Sequence, residues 1–223
     1  MAPQTDRLRV GVLASGTGSN FEAIIGAVDA GNLNVELALL ICNRPGARAL
    51  ALADSAGIPT RLIQHGDYPS RDAFDTEMVS ALRQADVGLV VMAGFDRLVT
   101  PVLLDAYRER VMNIHPALLP SFKGTHGQSQ AVDYGVRISG ATVHFVDEAV
   151  DHGPIIAQAA VAIDPFEATD VSAKRILEQE HRLYPLAIQL FANGQLRIEG
   201  RKVRVLDADN TGGALLNPSP PDA

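Results

Sequence analysis

The sequence predicts an α/β fold: a Rossmann-like twisted sheet that is mostly parallel, with helices on both faces and antiparallel strands in the C-terminal half. In the first half, short apolar segments alternate with helix-like segments, and such βα repeats imply a parallel sheet with right-handed crossovers. In the second half, two apolar segments follow each other with no room for a crossover helix, so they should pair antiparallel. With 47% hydrophobic and 20% charged residues, the 223-residue chain has the composition of a globular protein.

The elements of the first half are identified by apolar runs that end at Gly, Pro or polar residues. An apolar-periodic helix should follow the first strand and an Ala-rich helix the second, and the fourth strand is apolar at nearly every position, as expected where both faces are covered. The predicted strands are Leu8–Ala14, Val35–Cys42, Thr60–Ile63, Val87–Ala93 and Val111–His115. The helices between them are predicted near Asn20–Ala30, up to Ala56, at Arg71–Gln84 and near Thr100–Tyr107.

In the second half, strands are predicted at Thr142–Val146 and Ile155–Ile163, joined by a loop that contains Gly and Pro. A long helix should begin near Thr169, where Thr and Asp are suitable N-terminal residues, and run to about Ala192. Pro185 lies inside this helix and should kink it, because proline cannot donate a hydrogen bond to the preceding turn.

The C-terminal region is predicted to form a hairpin, Leu196–Glu199 and Lys202–Leu206, around Gly200. Asp207–Ala223 is rich in Gly, Pro, Asn and Asp, which predicts a flexible tail. Residues 1–206 are therefore expected to form a single domain with two halves, at about 1–110 and about 111–206.

The composition excludes several classes of protein. A net charge of −7 argues against a nucleic-acid-binding surface, which needs a concentrated basic face, but not against a small anionic ligand. The single cysteine, Cys42, rules out a disulfide framework and a Cys-rich zinc site, and is expected to be a buried small hydrophobe. There is no apolar run long enough to cross a membrane, and the N-terminus is too polar for a signal peptide. We therefore expect a cytoplasmic protein.

The first candidate site is the glycine-rich turn Ser15–Phe21, between the first strand and the first helix. Its two glycines let the backbone approach a ligand, and the helix start offers unpaired N–H groups. It is not a full dinucleotide fingerprint, because Phe21 takes the place of the third glycine and no acidic residue follows the second strand. A mononucleotide phosphate is therefore favoured over NAD. The alternative is that Ser19 and Glu22 only form a capping box.

The second candidate is Asn113–Pro116, at the end of the fifth strand. Asn113 and His115 are two residues apart, so their side chains share one face of an extended chain. An amide donor beside an imidazole is typical of an oxyanion stabiliser next to a general acid or base. The alternative is a strand-end histidine that bonds a loop carbonyl.

The third candidate is the loop Asp147–Pro154, whose Asp151 should reach His115 and raise the pKa of the imidazole. The alternative is a plain polar turn. His115, His144 and Asp151 also raise the question of a metal site, but no compact ligand motif supports one, so we expect no metal.

The long C-terminal helix carries one further signal. Glu180 lies within an apolar row formed by Ala173, Ile176, Leu177, Tyr184 and Ala187. A carboxylate on a core-facing row is costly unless it is paired. Glu180 should therefore either meet a buried partner or mark a ligand pocket.

Taken together, four segments resemble the glycinamide ribonucleotide formyltransferase family of folate-dependent enzymes. They are Gly16–Asn20, Met92–Phe95, Asn113–Pro120, and Val143–Val146 with Asp151–Pro154. The resemblance covers nearly the whole chain. It implies formyl transfer from 10-formyltetrahydrofolate, as co-substrate, to the amine of 5-phosphoribosylglycinamide in de novo purine biosynthesis, with no metal, nucleic acid or membrane involved. A homodimer is a possible assembly.

The resemblance also implies a role for each matching residue. Asn113 would stabilise the oxyanion, His115 would donate the proton, and Asp151 would raise the pKa of His115 and help to relay the proton through water, with His144 as active-site support. Residues implied to bind the ribonucleotide are Gly18, Ser19, Asn20, Leu177 and Glu180. Residues implied to bind the folate are Arg71, Asp96, Arg97, Leu98, Val99, Asn113, Asp147, Glu148, Ala149, Val150 and Asp151. The resemblance also implies that about 1–110 is the mononucleotide-binding half and about 111–206 the catalytic and folate half, although Arg71 and the segment 96–99 lie in the first half.

Two positions depart from the family pattern. Leu177 stands where many relatives carry Lys or Gln, which removes a phosphate contact, and Asp96 stands where some carry Met.

Three alternative functions remain open. A 10-formyltetrahydrofolate hydrolase should have an N-terminal regulatory domain, whereas the first strand here begins near Leu8. Another formyltetrahydrofolate-dependent formyltransferase, acting on methionyl-tRNA, should carry an RNA-binding domain after Leu206. A non-catalytic nucleotide- or folate-binding protein would not need the catalytic trio.

Overall fold

One nine-stranded sheet runs through the part of the chain that the computed structural model describes, residues 7–207. The predicted tail, apart from Asp207, lies outside the described residues. The elements are β1 (Leu8–Ala14), α1 (Ser19–Asp29), β2 (Val35–Cys42), α2 (Arg48–Ser55), β3 (Thr60–Leu62), α3 (Arg71–Gln84), β4 (Leu89–Met92), α4 (Pro101–Ala106), β5 (Val111–His115), α5 (Gly127–Tyr134), β6 (Ile138–Phe145), β7 (Ile155–Ala162), α6 (Thr169–Ala192), β8 (Leu196–Glu199) and β9 (Lys202–Val205). None of the described helices is long and apolar enough to cross a membrane.

The strand order is β3-β2-β1-β4-β5-β6-β7-β9-β8. The pairs from β3 to β5 are parallel, whereas β6 is antiparallel to both β5 and β7, which confirms the predicted mixed sheet. The terminal hairpin joins this sheet, because β9 pairs with β7 at Lys202 and Ile155. β1 has β2 on one side and β4 on the other, so the connections diverge there. In open α/β sheets, ligands bind beyond the carboxyl ends of the strands at such a point.

Both faces of the sheet are buried at its centre, as the apolar fourth strand predicts. On β1, Val12 packs into one core and Leu13 into the other. Helices α1 and α6 cover the first face, and α3 and α4 cover the second. The fully buried Tyr184 of α6 reaches the sheet itself, with its hydroxyl oxygen 3.1 Å from the carbonyl of Met92 and 3.0 Å from that of Met112. This contact fixes α6 against β4 and β5, where the candidate site lies.

Besides the short 3₁₀ helix His65–Asp67, two parts of the fold were not predicted from the sequence. Helix α5 was missed because its sequence is mostly polar and it begins at Gly127, after His126 in the left-handed conformation. Strand β6 begins at Ile138 rather than at Thr142. Its first residues were missed because Gly140 interrupts the apolar pattern of the sequence. A Cβ at this position would lie 1.8 Å from the carbonyl oxygen of Ala159 in β7, so the close pairing of the two strands requires glycine.

Gly140→Ala is expected to destabilise the protein by about 2–3 kcal/mol, because the added methyl group must push the two backbones apart. Urea unfolding at equilibrium measures this change. Gly26→Ala is the matched control, since Gly26 lies inside α1 and a methyl group added there would meet no atom within 4 Å. It should stabilise the protein by about 0.5–1 kcal/mol through helix propensity. Equal effects of the two substitutions would contradict this account of β6.

Candidate active site

A cleft of about 360 Å³ opens beyond the carboxyl ends of β4 and β5. It is bounded by residues from both halves of the chain, including the segment that follows β4 and the loop that follows β6. Of the residues singled out in the sequence, it is lined by Arg71, Asp96, Arg97, Leu98, Val99, Asn113, His115, His144, Asp147, Glu148, Ala149, Val150 and Asp151. The structure therefore brings all the predicted folate residues to one cavity.

The predicted catalytic trio meets at this cleft. His115 Nδ1 lies 3.3 Å from Asp151 Oδ2, although 36 positions of sequence separate the strand end from the loop. His144, which pairs with Asn113 across β5 and β6, connects the amide to the carboxylate. Its Nε2 lies 3.3 Å from Asn113 Nδ2 and 3.6 Å from Asp151 Oδ1. An amide, two imidazoles and a carboxylate thus form one contiguous cluster.

His115 is held rigidly at the end of β5. The residue is 3% exposed, and Nε2 donates a hydrogen bond of 2.8 Å to the carbonyl of Phe122. Burial lowers the pKa of His115, and the negative charge of Asp151 and the bond to Phe122 oppose this shift without cancelling it. The prediction that Asp151 raises the pKa of His115 above its ordinary value is therefore wrong. Asp151 acts in the predicted direction, but desolvation of the ring is the larger effect.

Asp151 is ionised at neutral pH. Burial alone would raise the pKa of its carboxyl group, but the bond to the His144 side chain, the 2.7 Å bond from the Gly124 N–H and the charge of His115 together lower it. The backbone of Asp151 also has a positive φ of 45°, which is a strained conformation for a residue other than glycine. Strain of this kind is commonly found at functional sites, where the surroundings hold the residue in place.

The segment 122–124 was not recognised as part of the site in the sequence. Through its carbonyl, Phe122 orients His115, and through its N–H, Gly124 orients Asp151. Gly124 has a φ of 81°, so the turn that places these two groups requires a residue tolerant of the left-handed region. The only signal in the sequence was this glycine shortly after the Asn113–Pro120 segment.

The glycine-rich turn has the geometry of an anion site. Helix α1 begins at Ser19, directly after Gly18 at a φ of 70°, and no side chain caps it. The capping-box alternative is therefore wrong, because Glu22 instead binds Arg48 at 2.7 and 2.8 Å. The first N–H groups of α1 thus have no side-chain acceptor, which is the arrangement that binds phosphate at helix starts.

Glu180 meets a buried partner. Its Oε2 accepts a hydrogen bond of 2.7 Å from Asn20 Nδ2, which joins α6 to the first turn of α1. Both residues are buried, and burial raises the pKa of Glu180 above its ordinary value although the bond to Asn20 opposes this. Asn20 Oδ1 has no hydrogen-bond partner. A buried acceptor without a donor beside the start of α1 is a position that a ligand N–H or O–H can satisfy.

Glu180→Gln is expected to raise the melting temperature at pH 8 by about 2–4 °C and to change it little at pH 5. Because the pKa of Glu180 is raised in the folded protein, the fold favours the protonated form, and stability is lost as the pH rises through the folded-state pKa. Glutamine removes this loss and can still accept from Asn20. The exposed Glu178 in the same helix provides the control, and Glu178→Gln should leave both temperatures unchanged. A lower melting temperature for Glu180→Gln at pH 8 would contradict the proposed burial cost.

Within residues 7–207, no group of three or more His, Cys, Asp or Glu side chains is arranged to hold a metal ion. Cys42 is buried at the end of β2, as predicted.

Known proteins resemble this chain along most of its length. The family model of formyl transferase matches residues 8–188. A phosphoribosylglycinamide formyltransferase from Bacillus subtilis (strain 168) is 41% identical over 80% of this chain and 91% of its own length. Among solved structures, glycinamide ribonucleotide transformylase 1 from Symbiobacterium toebii is 44% identical and superposes with a TM-score of 0.90, covering 93% of this chain and 98% of that one.

Longer proteins contain a similar region. The trifunctional purine biosynthetic protein adenosine-3 of Gallus gallus is 40% identical over 87% of this chain, and the match covers 19% of that protein. The chain therefore spans about a fifth of the length of this relative.

Proposed function

The chain belongs to the formyl transferase family, and from this premise we propose that it transfers the formyl group of 10-formyltetrahydrofolate to the amine of 5-phosphoribosylglycinamide in purine biosynthesis. The observation that carries the proposal is the meeting of Asn113, His115 and Asp151 at one cleft. A protein that only bound a nucleotide or a folate would have no use for an amide donor beside a buried imidazole–carboxylate pair.

The proposed reaction begins when the amine nitrogen attacks the formyl carbon. A C–N bond forms, the carbonyl π electrons move to oxygen, and a tetrahedral intermediate with an oxyanion results. We propose that Asn113 donates an amide N–H to this oxyanion. Its side chain lines the cleft and is partly exposed, while His144 and the sheet fix its orientation. A donor that is already oriented stabilises the developing charge without reorganisation.

The proton must then move from the amine to the leaving nitrogen of tetrahydrofolate. His115 suits this role because burial holds the pKa of its imidazole below the ordinary value, so neutral Nδ1 can accept a proton. In the imidazolium that forms, Nδ1 faces Asp151 and Nε2 faces the Phe122 carbonyl, so both N–H groups have an acceptor. The oxyanion then re-forms the carbonyl and expels the nitrogen of tetrahydrofolate. This nitrogen takes the proton from His115 as its C–N bond to the formyl carbon breaks, so the imidazole becomes neutral again.

The two substrates would occupy neighbouring places. We propose that the phosphate of the ribonucleotide binds at the start of α1, on Gly18, Ser19 and Asn20, and that Glu180 binds the glycinamide part. Leu177, one turn before Glu180, offers no hydrogen bond, so the phosphate would depend on α1. The folate would lie in the cleft, between Arg71 and the segments 96–99 and 147–151. No step requires a metal ion.

The assay that tests this proposal measures tetrahydrofolate formation from 10-formyltetrahydrofolate with and without 5-phosphoribosylglycinamide. We expect turnover that depends on the acceptor. Turnover at the same rate without acceptor would contradict the proposal and favour the hydrolase alternative. We propose that the reaction takes place in the cytoplasm. The proposed partners are the two small-molecule substrates. A homodimer stays a prediction.

A further inference from the structure

Asp96 lines the cleft in a position assigned to folate binding by resemblance, yet its carboxylate contacts other parts of the protein. Oδ1 accepts hydrogen bonds from Ser15 Oγ at 2.8 Å and from Asn43 Nδ2 at 2.9 Å, and Oδ2 accepts one from Arg44. The backbone N–H of Asp96 donates back to Ser15 Oγ at 2.9 Å. A carboxylate with three donors already in place is not arranged primarily to bind a ligand.

These partners come from three neighbouring strands of the sheet. Ser15 directly follows β1 and opens the glycine-rich turn, Asn43 and Arg44 directly follow β2, and Asp96 follows β4. A backbone bond of 3.0 Å from Ser15 N to the Gly94 carbonyl runs beside the side-chain contacts. The Asp96 carboxylate therefore ties the glycine-rich turn to the segment 96–99, which lines the cleft.

Losing this link is costly because two of its hydrogen-bond donors are buried. Ser15 is 5% exposed and Asn43 is 2% exposed, so neither can turn to bulk solvent if the carboxylate is removed. Asn43 Oδ1 has no partner of its own, which leaves the bond from Nδ2 to orient this amide. Burial alone would raise the pKa of Asp96, but the bonds from Asn43, Ser15 and Arg44 outweigh this effect. The net result is a pKa below the ordinary value, so the carboxylate is charged at neutral pH.

We propose that Asp96 is a positioning residue that holds the glycine-rich turn against the segment 96–99 and so sets the separation of the two substrates. The proposal rests on the proposed function, in which the ribonucleotide binds at the turn and the folate in the cleft. It differs from a folate contact in one consequence. A residue that only touched folate would affect the binding of folate, whereas a residue that holds both segments affects both substrates.

Asp96→Ala tests the proposal through the Michaelis constants. We expect the KM for each substrate to rise by about tenfold, within the range of coupling between contacting residues, while kcat changes less. A rise confined to 10-formyltetrahydrofolate would overturn the proposal in favour of a direct folate contact, and unchanged constants would overturn it entirely. The control is Asp105→Ala, which removes another aspartate–arginine pair. Asp105 Oδ1 lies 2.8 Å from Arg108 Nη2, and both residues are exposed and lie outside the cleft. It should leave both constants unchanged.

Three further variants guard against a folding defect. Ser15→Ala removes a single hydroxyl group from the link and should raise both constants in the same way. In the double variant with Asp96→Ala the effects should not add, because both substitutions break one connection. Asp96→Asn keeps an acceptor for Ser15 and should recover most of the loss. Additive effects, or no recovery with asparagine, would contradict a single shared link.

Binding measurements separate this proposal from the proposed function. Calorimetric titration with tetrahydrofolate and with ribose 5-phosphate needs no turnover. If the unaltered protein binds both ligands but transfers no formyl group, the proposed function fails and Asp96 can still be tested. In that case, weaker binding of both ligands by Asp96→Ala supports the positioning role, and weaker binding of one or of neither overturns it.

Discussion

Asn113→Ala is expected to lower kcat by about 10²–10³-fold, which is the usual cost of losing one donor from an oxyanion site. The amide stabilises charge that exists only after the amine has attacked, so the loss should appear in kcat more than in either KM. The protein should remain folded, because the partly exposed Asn113 side chain contacts His144 and the ring of His144 keeps its 2.8 Å contact with the Phe145 carbonyl.

Steady-state kinetics and thermal unfolding of the same preparations test this prediction. Asn32→Ala is the control, since Asn32 is exposed in the turn after α1 and does not line the cleft. It should keep full activity. A turnover of Asn113→Ala close to that of Asn32→Ala would mean that another group stabilises the oxyanion.

Asp151→Asn should lower kcat by about 10²–10⁴-fold, the range for groups that assist proton transfer. Asparagine fills the same volume, but it carries no charge to stabilise the imidazolium of His115 across the 3.3 Å contact. The residual activity should also show a changed pH profile. This profile distinguishes loss of the charge from a simple change of loop structure.

The direction of the pH change follows from the causes of the His115 pKa. Asp151 raises that pKa against the larger effect of burial, so its removal lowers the pKa further. Neutral His115 is the active form in the proposed reaction, so the acid limb of the kcat/KM profile should move to lower pH in Asp151→Asn. Asp133→Asn, an exposed change on α5, should leave the profile in place. A limb that moves to higher pH would show that Asp151 does not act through His115.

Most of the parallel half of the fold could be predicted because β1, β2 and β4 are apolar runs, and β4, with all four residues buried, is the clearest of them. The sequence does not reveal α5 in the same way, since only its Gly127, Ala131 and Val132 are buried and most of its other residues are polar. The early start of β6 was hidden for a different reason. Gly140 interrupts the apolar pattern of the strand because a side chain there would collide with the backbone of β7. This close contact can be recognised only once the two strands are seen paired.

In the candidate site, the residue types and their positions made Asn113, His115 and Asp151 candidates, because strand ends and loops of a parallel sheet meet at one edge. Their catalytic roles came from the family resemblance. The net shift of the His115 pKa was out of reach, since it depends on how deeply the ring is buried and not on which charge lies nearby. The contacts of Asp96 were equally hidden. Ser15 and Asn43 follow different strands, and their positions in the sequence carry no sign that they share one carboxylate.

The fate of the formyl carbon tests the proposed reaction most directly. In a single-turnover reaction, 10-formyltetrahydrofolate labelled with ¹³C in the formyl group is mixed with excess protein and 5-phosphoribosylglycinamide and followed by NMR. We predict that the label appears as an amide on the glycinamide nitrogen, and that Asn113→Ala delays this signal without changing the product. Label released as free formate in the presence of the acceptor would contradict formyl transfer by this protein.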